Sequence, residues 1–257
     1  MSKELPEMKI TYFSDLHLEF ESWTPPTLAA DVVILAGDID IGDRGMRWAR
    51  EHFEQPIIYV AGNHEFYKDK FHKIVHKMNT TAIELDIHFL HNSSVEIEGV
   101  QFVGGTLWTD FALFGDPTVS AYDAKQGMTD YKAITYKTKE GRYRKLNPTD
   151  TLSEHRKTRD FLTDIFKTEH PRRVVVTHHA PSANSVNPVF ANHHLTPCYA
   201  SHLDDLVKSS LAKYWVHGHT HYKADYSIGN CRIITNQRGY LPYDPSDGFK
   251  EAVIVEV

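Results

Sequence analysis

Five short hydrophobic runs along the chain each end in aspartate, asparagine or histidine. They cover residues 9–14, 32–35, 56–60, 173–177 and 214–216. The second run, VVIL, is continuously apolar and rich in β-branched residues, which predicts a strand buried on both faces of a parallel sheet. In open α/β sheets, ligands bind at the carboxyl ends of the strands. The five polar endings therefore predict a ligand site at one edge of a sheet.

The remaining pattern predicts helices, further strands and two hairpins. A period near 3.6 residues, with proline as a stop signal, predicts helices over residues 46–53, 66–82, 149–168 and 203–211. Alternating polarity around turn residues predicts hairpins over residues 95–103 and 223–235. Residues 87–90 and 252–257 are predicted as strands.

Two stretches show no clean period. Residues 110–148 are rich in tyrosine, lysine, glycine and aspartate, and predict an irregular insertion of loops and short helices over the sheet edge. Residues 180–200 contain three prolines and are also predicted to be irregular. Strands alternate with helices early in the chain and give way to hairpins later. This order predicts an α/β fold in one domain over residues 1–257, a four-layer α-β-β-α sandwich with two mixed sheets and helices outside.

Composition narrows the classes of function. The chain has 257 residues, a formal net charge of −6 and 17 histidines. The acidic balance argues against a protein that coats nucleic acid, while the histidines suit metal binding. The two cysteines make no disulfide framework, and residues 1–7 lack the apolar segment of a signal peptide. No apolar stretch approaches the ~20 residues of a membrane span. We expect a reduced, soluble, cytoplasmic protein that does not bind membranes.

The polar strand endings supply a set of candidate metal ligands. They are Asp15, His17, Asp38, Asn63, His178, His219 and His221. Carboxylates, imidazoles and an amide without any thiolate suit Mn, Fe, Zn or Co. Seven ligands exceed the needs of one ion but fit two ions that share a bridging carboxylate, as in two-metal sites that act on phosphorus.

The ordered motifs carry a family resemblance. They are Asp15-x-His17, Gly37-Asp38, Gly62-Asn63-His64-Glu65, His178 and Gly218-His219-Thr220-His221. This set resembles the calcineurin-like metallophosphoesterases, and the compact chain is similar to their stand-alone bacterial and phage members. The Ser/Thr protein phosphatases are disfavoured, because residues 43–45 (Asp-Arg-Gly) come two positions later than their pattern requires.

The resemblance implies a role for each residue. Asp15, His17 and His221 would hold a first divalent ion, Asp38 would bridge, and Asn63, His178 and His219 would complete a second site. It implies a phosphoesterase in which a metal-bridging hydroxide attacks phosphorus, Asn63 helps to stabilise the added charge and His64 is the general acid. The expected substrate is a small phosphodiester or phosphomonoester.

Several roles around this site stay open at the level of sequence. His179 is the alternative to His178 as ligand, and His179, Arg238 and Trp108 are candidate substrate contacts, although core packing is the default for Trp108. Asp40 or Asp43 is a candidate partner that orients His64.

Two other functions remain as alternatives. Residues 132–145 carry six basic side chains next to tyrosines, which makes a nuclease acting on DNA or RNA the second choice, although a solvated loop is preferred there. A non-catalytic scaffold is the third choice, and the complete ligand set argues against it. Neither the ester preference nor the oligomeric state follows from the pattern.

Overall fold

A computed structural model describes residues 6–241 and 243–257 of the chain, which form fifteen strands and six α-helices in those ranges. The strands are β1 Lys9–Phe13, β2 Val32–Ala36, β3 Ile57–Val60, β4 His88–Phe89, β5 Ser93–Ile97, β6 Val100–Gly105, β7 Thr135–Lys137, β8 Tyr143–Lys145, β9 Arg173–Thr177, β10 Tyr214–Val216, β11 Asp225–Ile228, β12 Cys231–Ile234, β13 Gly239–Tyr240, β14 Asp244–Pro245 and β15 Val255–Glu256. The α-helices are α1 Arg44–His52, α2 Phe71–Glu84, α3 Pro117–Gly127, α4 Asp130–Ala133, α5 Pro148–Ile165 and α6 Asp204–Ser209.

Two mixed sheets contain most of the strands. The first has the order β15-β1-β2-β3-β4, and the second the order β11-β12-β10-β9-β6-β5. In each sheet the inner strands are parallel, and antiparallel strands lie at the edges: β15 in the first sheet, β11 and β5 in the second. The five predicted hydrophobic runs are all parallel strands of these sheets.

Residues of one strand alternate between two cores. On β2, Val32 and Ile34 pack in the cluster between the sheets, whereas Val33 and Leu35 pack against α1 and α2. On the second sheet, Val175 packs outward against α5 and α6. This alternation follows the two-residue period of a strand. It produces helix, sheet, sheet and helix layers, so the predicted four-layer α-β-β-α sandwich is confirmed.

The second predicted helix begins later than expected. The pattern predicts it over residues 66–82, but α2 starts at Phe71. His64–Phe66 forms a separate turn of 3-10 helix, Tyr67 is extended, and Lys68 has a φ of 64°. The break lies just after β3. The residues there place Asn63 and His64 at the candidate site, and the α-helix begins only after them. Within the described parts of the chain, no helix is long and apolar enough to span a membrane.

The stretch 110–148 is more regular than predicted. It contains the 11-residue helix α3, the single turn α4 and the antiparallel pair β7–β8. Tyr131, Ile134 and Leu146 enter the same core cluster as residues of α1 and α2. These apolar residues are scattered in sequence because each contacts a distant element, so no local period reveals them. One local signal was present: Asp116 followed by Pro117 is a typical helix start.

Candidate metal centre

The carboxyl ends of the parallel strands bring all seven predicted ligands to one place. The first sheet supplies four of them and the second sheet three: Asp15, His17, Asp38 and Asn63, and His178, His219 and His221. Six are buried, and His221 is partly buried. Both sheets end in polar residues at the same edge, as expected for ligand sites in sheets with parallel strands.

The ligand atoms fall into overlapping groups of three. In each group, one nitrogen or oxygen per residue lies within 4.8 Å of the others; the groups are Asp15, His17 and His221; His17, Asp38 and His64; and Asp38, His178 and His219. Asp38 belongs to two of them. The first group is the predicted first ligand set, and the last contains Asp38 with His178 and His219 of the predicted second set; Asn63 Oδ1 lies 3.1 Å from His178 Nε2.

Nitrogen and oxygen atoms of the predicted ligands lie close to one another. His17 Nε2 lies 3.2 Å from His221 Nε2, and His178 Nε2 lies 3.1 Å from Asn63 Oδ1. His219 Nε2 is buried without a hydrogen-bond partner. A buried polar atom without a partner is costly, and a divalent cation would satisfy such nitrogens and oxygens together. The donor set therefore fits divalent metal ions.

The charges of the cluster also favour bound cations. Burial would raise the pKa of the Asp38 carboxyl, but the imidazoles of His178 and His64 hold this pKa well below its usual range. Burial would lower the pKa of His178, yet the carboxylates of Asp38 and Asp15 raise it to about 10. Because the two carboxylates attract positive charge, metal ions would replace the protons that they draw in.

Most of the predicted ligands have an unusual backbone. Five of them lie in the left-handed region: Asp15 (φ 50°), His17 (φ 48°), Asp38 (φ 54°), His219 (φ 70°) and His221 (φ 46°). Non-glycine residues rarely adopt this conformation, and it clusters at functional sites. The neighbouring Gly37 has a φ of 88°, and a Cβ there would lie 2.5 Å from His178 Nδ1. The sharp turns after the strands thus aim the side chains inward at the expense of backbone strain.

His64 lies beside this cluster, and Glu19 orients it. Its Nδ1 is 2.7 Å from Glu19 Oε1, and Glu19 also contacts His17 Nδ1 at 3.3 Å. Burial opposes a charged His64, but Asp38 and Glu19 raise the pKa of His64 to about 9. Burial would raise the pKa of Glu19, but His17 and His64 lower it to about 2.

The predicted partners of His64 were wrong. Asp40 pairs with Arg44, and Asp43 contacts Lys77 and Thr81. Both aspartates follow the β2 turn, but the chain there leads into α1 and carries them away from His64. No local signal distinguishes Glu19 from the other acidic residues of its loop.

A comparison with known proteins gives the family. The sequence profile of the calcineurin-like phosphoesterases matches residues 8–223. This chain belongs to the calcineurin-like phosphoesterase family. The resemblance inferred from the motifs is confirmed. The family comprises phosphoesterase hydrolases that bind divalent metal ions.

Two individual proteins are similar over nearly the whole chain. An uncharacterized protein of Acanthamoeba polyphaga mimivirus is 26% identical over 262 residues, which cover 90% of this chain and 91% of that protein. The crystal structure of a phosphopantetheinyl hydrolase from Mycobacterium tuberculosis superposes with a TM-score of 0.69. It is 17% identical and covers 98% of this chain and 96% of that chain, a likeness that shows the fold.

Glu65 follows His64 in the family motif, but the sequence pattern assigns no role to its carboxylate. Its two oxygens accept hydrogen bonds from the backbone N–H groups of Asp38, Ile39 and Gly62, and from the hydroxyl of Tyr59. Burial and the nearby Asp38 raise the pKa of Glu65 to about 8. Glu65 thereby ties the turn after β2 to the turn after β3 and positions Asp38.

The insertion supplies a further partner to the site. Asp130 Oδ1 accepts a hydrogen bond of 2.9 Å from Asn63 Nδ2 and one of 2.7 Å from the hydroxyl of Tyr67. Since the amide nitrogen of Asn63 donates to Asp130, its oxygen points toward His178. Asp130 belongs to α4, one of the short helices that the sequence pattern predicts for residues 110–148 without placing them, and no motif marks it.

The three predicted substrate contacts lie near the site but in closed surroundings. His179 Nδ1 lies 3.1 Å from the carbonyl of Thr106, and burial holds its pKa well below the usual range. Trp108 is 3% exposed and packs near Phe66 and Phe71, as its default interpretation predicts.

Arg238 requires a correction. Its guanidinium is buried and donates to the carbonyls of Leu16, Glu21 and Ser22 at 2.8–3.3 Å. It therefore secures the loop that carries Glu19, and its predicted contact with phosphate is not what the structure shows. The hydrogen-bonding demand of a buried guanidinium decides this role, which a local sequence pattern does not contain.

A cavity of about 350 Å³ opens beside the predicted metal ligands. Three tyrosines frame it, and each packs on a histidine of the site: Tyr67 on His64 (centroids 4.2 Å apart), Tyr199 on His219 (4.8 Å) and Tyr240 on His221 (4.6 Å). The Tyr240 hydroxyl also lies 3.1 Å from His64 Nε2. Arg238, His179 and Trp108 are not among the described residues that line the cavity.

Proposed function

We propose that this protein hydrolyses a small phosphodiester or phosphomonoester with the help of two divalent metal ions, Mn, Fe, Zn or Co. One observation carries the proposal: three overlapping groups of side chains that can ligate metal lie together, linked through His17 and Asp38, and they include the unpartnered nitrogen of His219. Asp15, His17 and His221 would hold one ion, Asn63, His178 and His219 the other, and Asp38 would contribute to both. Bound ions would lower the pKa of a water molecule and offset the charge of the phosphate.

His64 is the proposed general acid. Because Nδ1 of His64 faces Glu19, its Nε2 is the nitrogen that can deliver a proton toward the site. The tyrosine hydroxyl at 3.1 Å from this nitrogen shows that an oxygen fits there. A leaving-group oxygen in that place would receive the proton as its bond to phosphorus breaks. Glu19 is a positioning residue in this scheme, since it acts through His64.

The basic stretch gives little support to the nuclease alternative. Arg144 pairs with Asp150 and lies over Tyr136, and Lys137 lies over the ring of Tyr143 at 6.0 Å. These basic groups belong to the β7–β8 pair and its surroundings, and none of them is among the described residues lining the cavity. A small ester therefore fits better than a nucleic acid backbone, which needs a row of cations.

The scaffold alternative requires a lost ligand or a lost acid. All seven predicted ligands and His64 are present and converge in the structure. The strained backbone at five of them also favours a retained activity, because such strain is costly to keep without a function.

Metal content and hydrolysis together test the proposal. Protein reconstituted with Mn²⁺ is given bis-p-nitrophenyl phosphate and p-nitrophenyl phosphate, with a chelator and with His64→Ala as controls. We expect two ions per chain and hydrolysis that the chelator abolishes. The relative rates on the two substrates decide between a diesterase and a monoesterase. Protein that binds no metal and hydrolyses neither ester would refute the proposal.

A further inference from the structure

The cavity beside the metal ligands has the size of a pocket for one small organic group. Its volume of about 350 Å³ lies near the lower end of the roughly 300–1,000 Å³ seen for ligand sites. Three of the predicted metal ligands, Asn63, His219 and His221, are among the residues that line it. A phosphate held at the metal ligands would therefore project one of its ester groups into this space.

Aromatic and apolar side chains form one part of the cavity wall, beside polar ones such as Asn187, Thr196 and Thr220. Besides the three tyrosines that pack on the site histidines, Phe190, Met128 and Leu195 line it. Phe190 and Leu195 come from the irregular stretch 180–200, and Met128 comes from the end of α3. Aromatic faces at a pocket wall favour ring-containing ligands through stacking and burial of apolar area.

The cavity wall offers few positively charged side chains. None of the described lining residues is a lysine or an arginine, and Asp244 contributes a carboxylate; apart from the predicted ligands, His193 is the one basic side chain among them. A second phosphate or a carboxylate placed against this wall, away from the ions, would lose water without gaining a lysine or arginine partner among the described residues. Such an unpaired anion is strongly disfavoured in a partly desolvated pocket.

We propose that this cavity selects phosphate esters with a single phosphate and an uncharged, ring-containing organic group, and that it rejects substrates bearing a second anionic group there. This inference rests on the proposed function and deepens it. It names the chemical class of the ester group, and it excludes nucleoside diphosphates and oligonucleotides as good ligands of the cavity.

Phosphonates test the inference without any bond to hydrolyse. The probes are methylphosphonate, phenylphosphonate and 4-carboxyphenylphosphonate, which share the phosphonate and differ only in the organic group. Binding to the Mn²⁺-reconstituted protein is measured by the shift in Tm and by inhibition of bis-p-nitrophenyl phosphate hydrolysis. We expect phenylphosphonate to bind at least tenfold more tightly than methylphosphonate, and the added carboxylate to cancel most of that gain.

A charge variant locates the selectivity in the cavity. Thr129 lines the cavity, is exposed, and makes no side-chain hydrogen bond as the residue before α4. Thr129→Lys adds a cation at the wall and should improve binding of 4-carboxyphenylphosphonate severalfold relative to phenylphosphonate. Thr129→Gln, which is long and uncharged, is the matched control and should leave their ratio unchanged.

The outcomes separate this inference from the proposed function. If the protein hydrolyses bis-p-nitrophenyl phosphate but binds the three phosphonates equally, or prefers the carboxylate, the inference is wrong and the proposed function stands. An identical ratio in Thr129→Lys and Thr129→Gln would also overturn it. Absence of metal, of hydrolysis and of binding of all three probes would instead overturn the proposed function.

Discussion

At the scale of single residues, the site depends on backbone conformations that its side chains do not favour. Five predicted ligands have positive φ, although each is an aspartate or a histidine. A left-handed conformation costs roughly 1–2 kcal/mol for a residue with a Cβ, and glycine adopts it freely. The site therefore stores strain that the surrounding strands hold in place.

That strain predicts an unusual order of stability at His221, whose φ is 46°. In metal-free protein, His221→Gly should be more stable than His221→Ala by about 1 kcal/mol, because glycine relieves the left-handed strain. Urea denaturation of both variants measures the difference. His178 is the control, since its φ is not positive. At position 178 the alanine variant should be more stable than the glycine variant. If glycine or alanine were the more stable choice at both positions, that result would contradict the argument from strain.

Glu19 predicts a second effect at this scale. Glu19→Gln should lower kcat by roughly 10–100-fold, the range seen when a partner of a site residue is lost. The loss should be larger for alkyl esters than for p-nitrophenyl esters, because only poor leaving groups need the proton that His64 supplies. His64→Ala should keep its metal and show the same dependence on the leaving group.

Two comparisons make the Glu19 prediction specific. At saturating Mn²⁺, which offsets any weaker metal binding through the contact of Glu19 with His17, Glu19→Gln should cause no further loss in the His64→Ala background, since Glu19 acts on proton transfer through His64. Asp40→Asn, in a carboxylate that pairs with Arg44, is the matched control and should retain activity. Additive losses in the double variant, or equal losses on both kinds of ester, would remove Glu19 from this role.

At the scale of elements, the insertion contributes to the site rather than only lying above it. α4 brings Asp130 to the Asn63 amide, and the residues after α3 line the cavity. The strands were predictable because each is a local run of apolar residues that ends in a polar one. The elements of the insertion could not be placed from the sequence, since Tyr131, Ile134 and Leu146 are buried only by contacts with distant elements.

Asp130 provides the prediction for this scale. Asp130→Ala should weaken metal binding by roughly 10–100-fold, because Asn63 loses the partner that orients its amide. Titration of metal-free protein with Mn²⁺ measures this affinity. Asp116→Ala is the control in the same insertion: it removes the N-cap of α3 and should cost about 1 kcal/mol of stability without changing the affinity. Equal metal affinity in both variants would contradict the role of Asp130.

At the scale of the whole molecule, the proposed metal centre joins the two sheets. Asp15, Asp38 and Asn63 follow strands of the first sheet, whereas His178 and His219 follow strands of the second. Ions bound between them would hold both sheets together only in the folded chain. Metal binding should therefore stabilise the whole fold, since the unfolded chain does not present this arrangement.

This linkage predicts a change in thermal stability. At a free metal concentration 100 times the Kd, one ion adds about 2.7 kcal/mol, which raises the Tm of a chain this long by roughly 5–10 °C. A chelator should lower the Tm by that amount, and Mn²⁺ should restore it. Asp38→Asn should remove most of the shift. An unchanged Tm after verified metal removal would contradict the proposed link between the sheets.

The sequence by itself determined the parallel strands, the candidate ligand set and the family, because these depend on short runs and on motifs at fixed spacing. The tertiary structure alone decided which residues support the ligands. Glu19 reaches His64 across 45 positions, and Asp130 reaches Asn63 across 67. The guanidinium of Arg238 donates hydrogen bonds to carbonyls of a loop more than 200 positions away in the sequence. Such partners are chosen by burial and by the need of each polar group for a hydrogen bond, and neither is visible before the chain has folded.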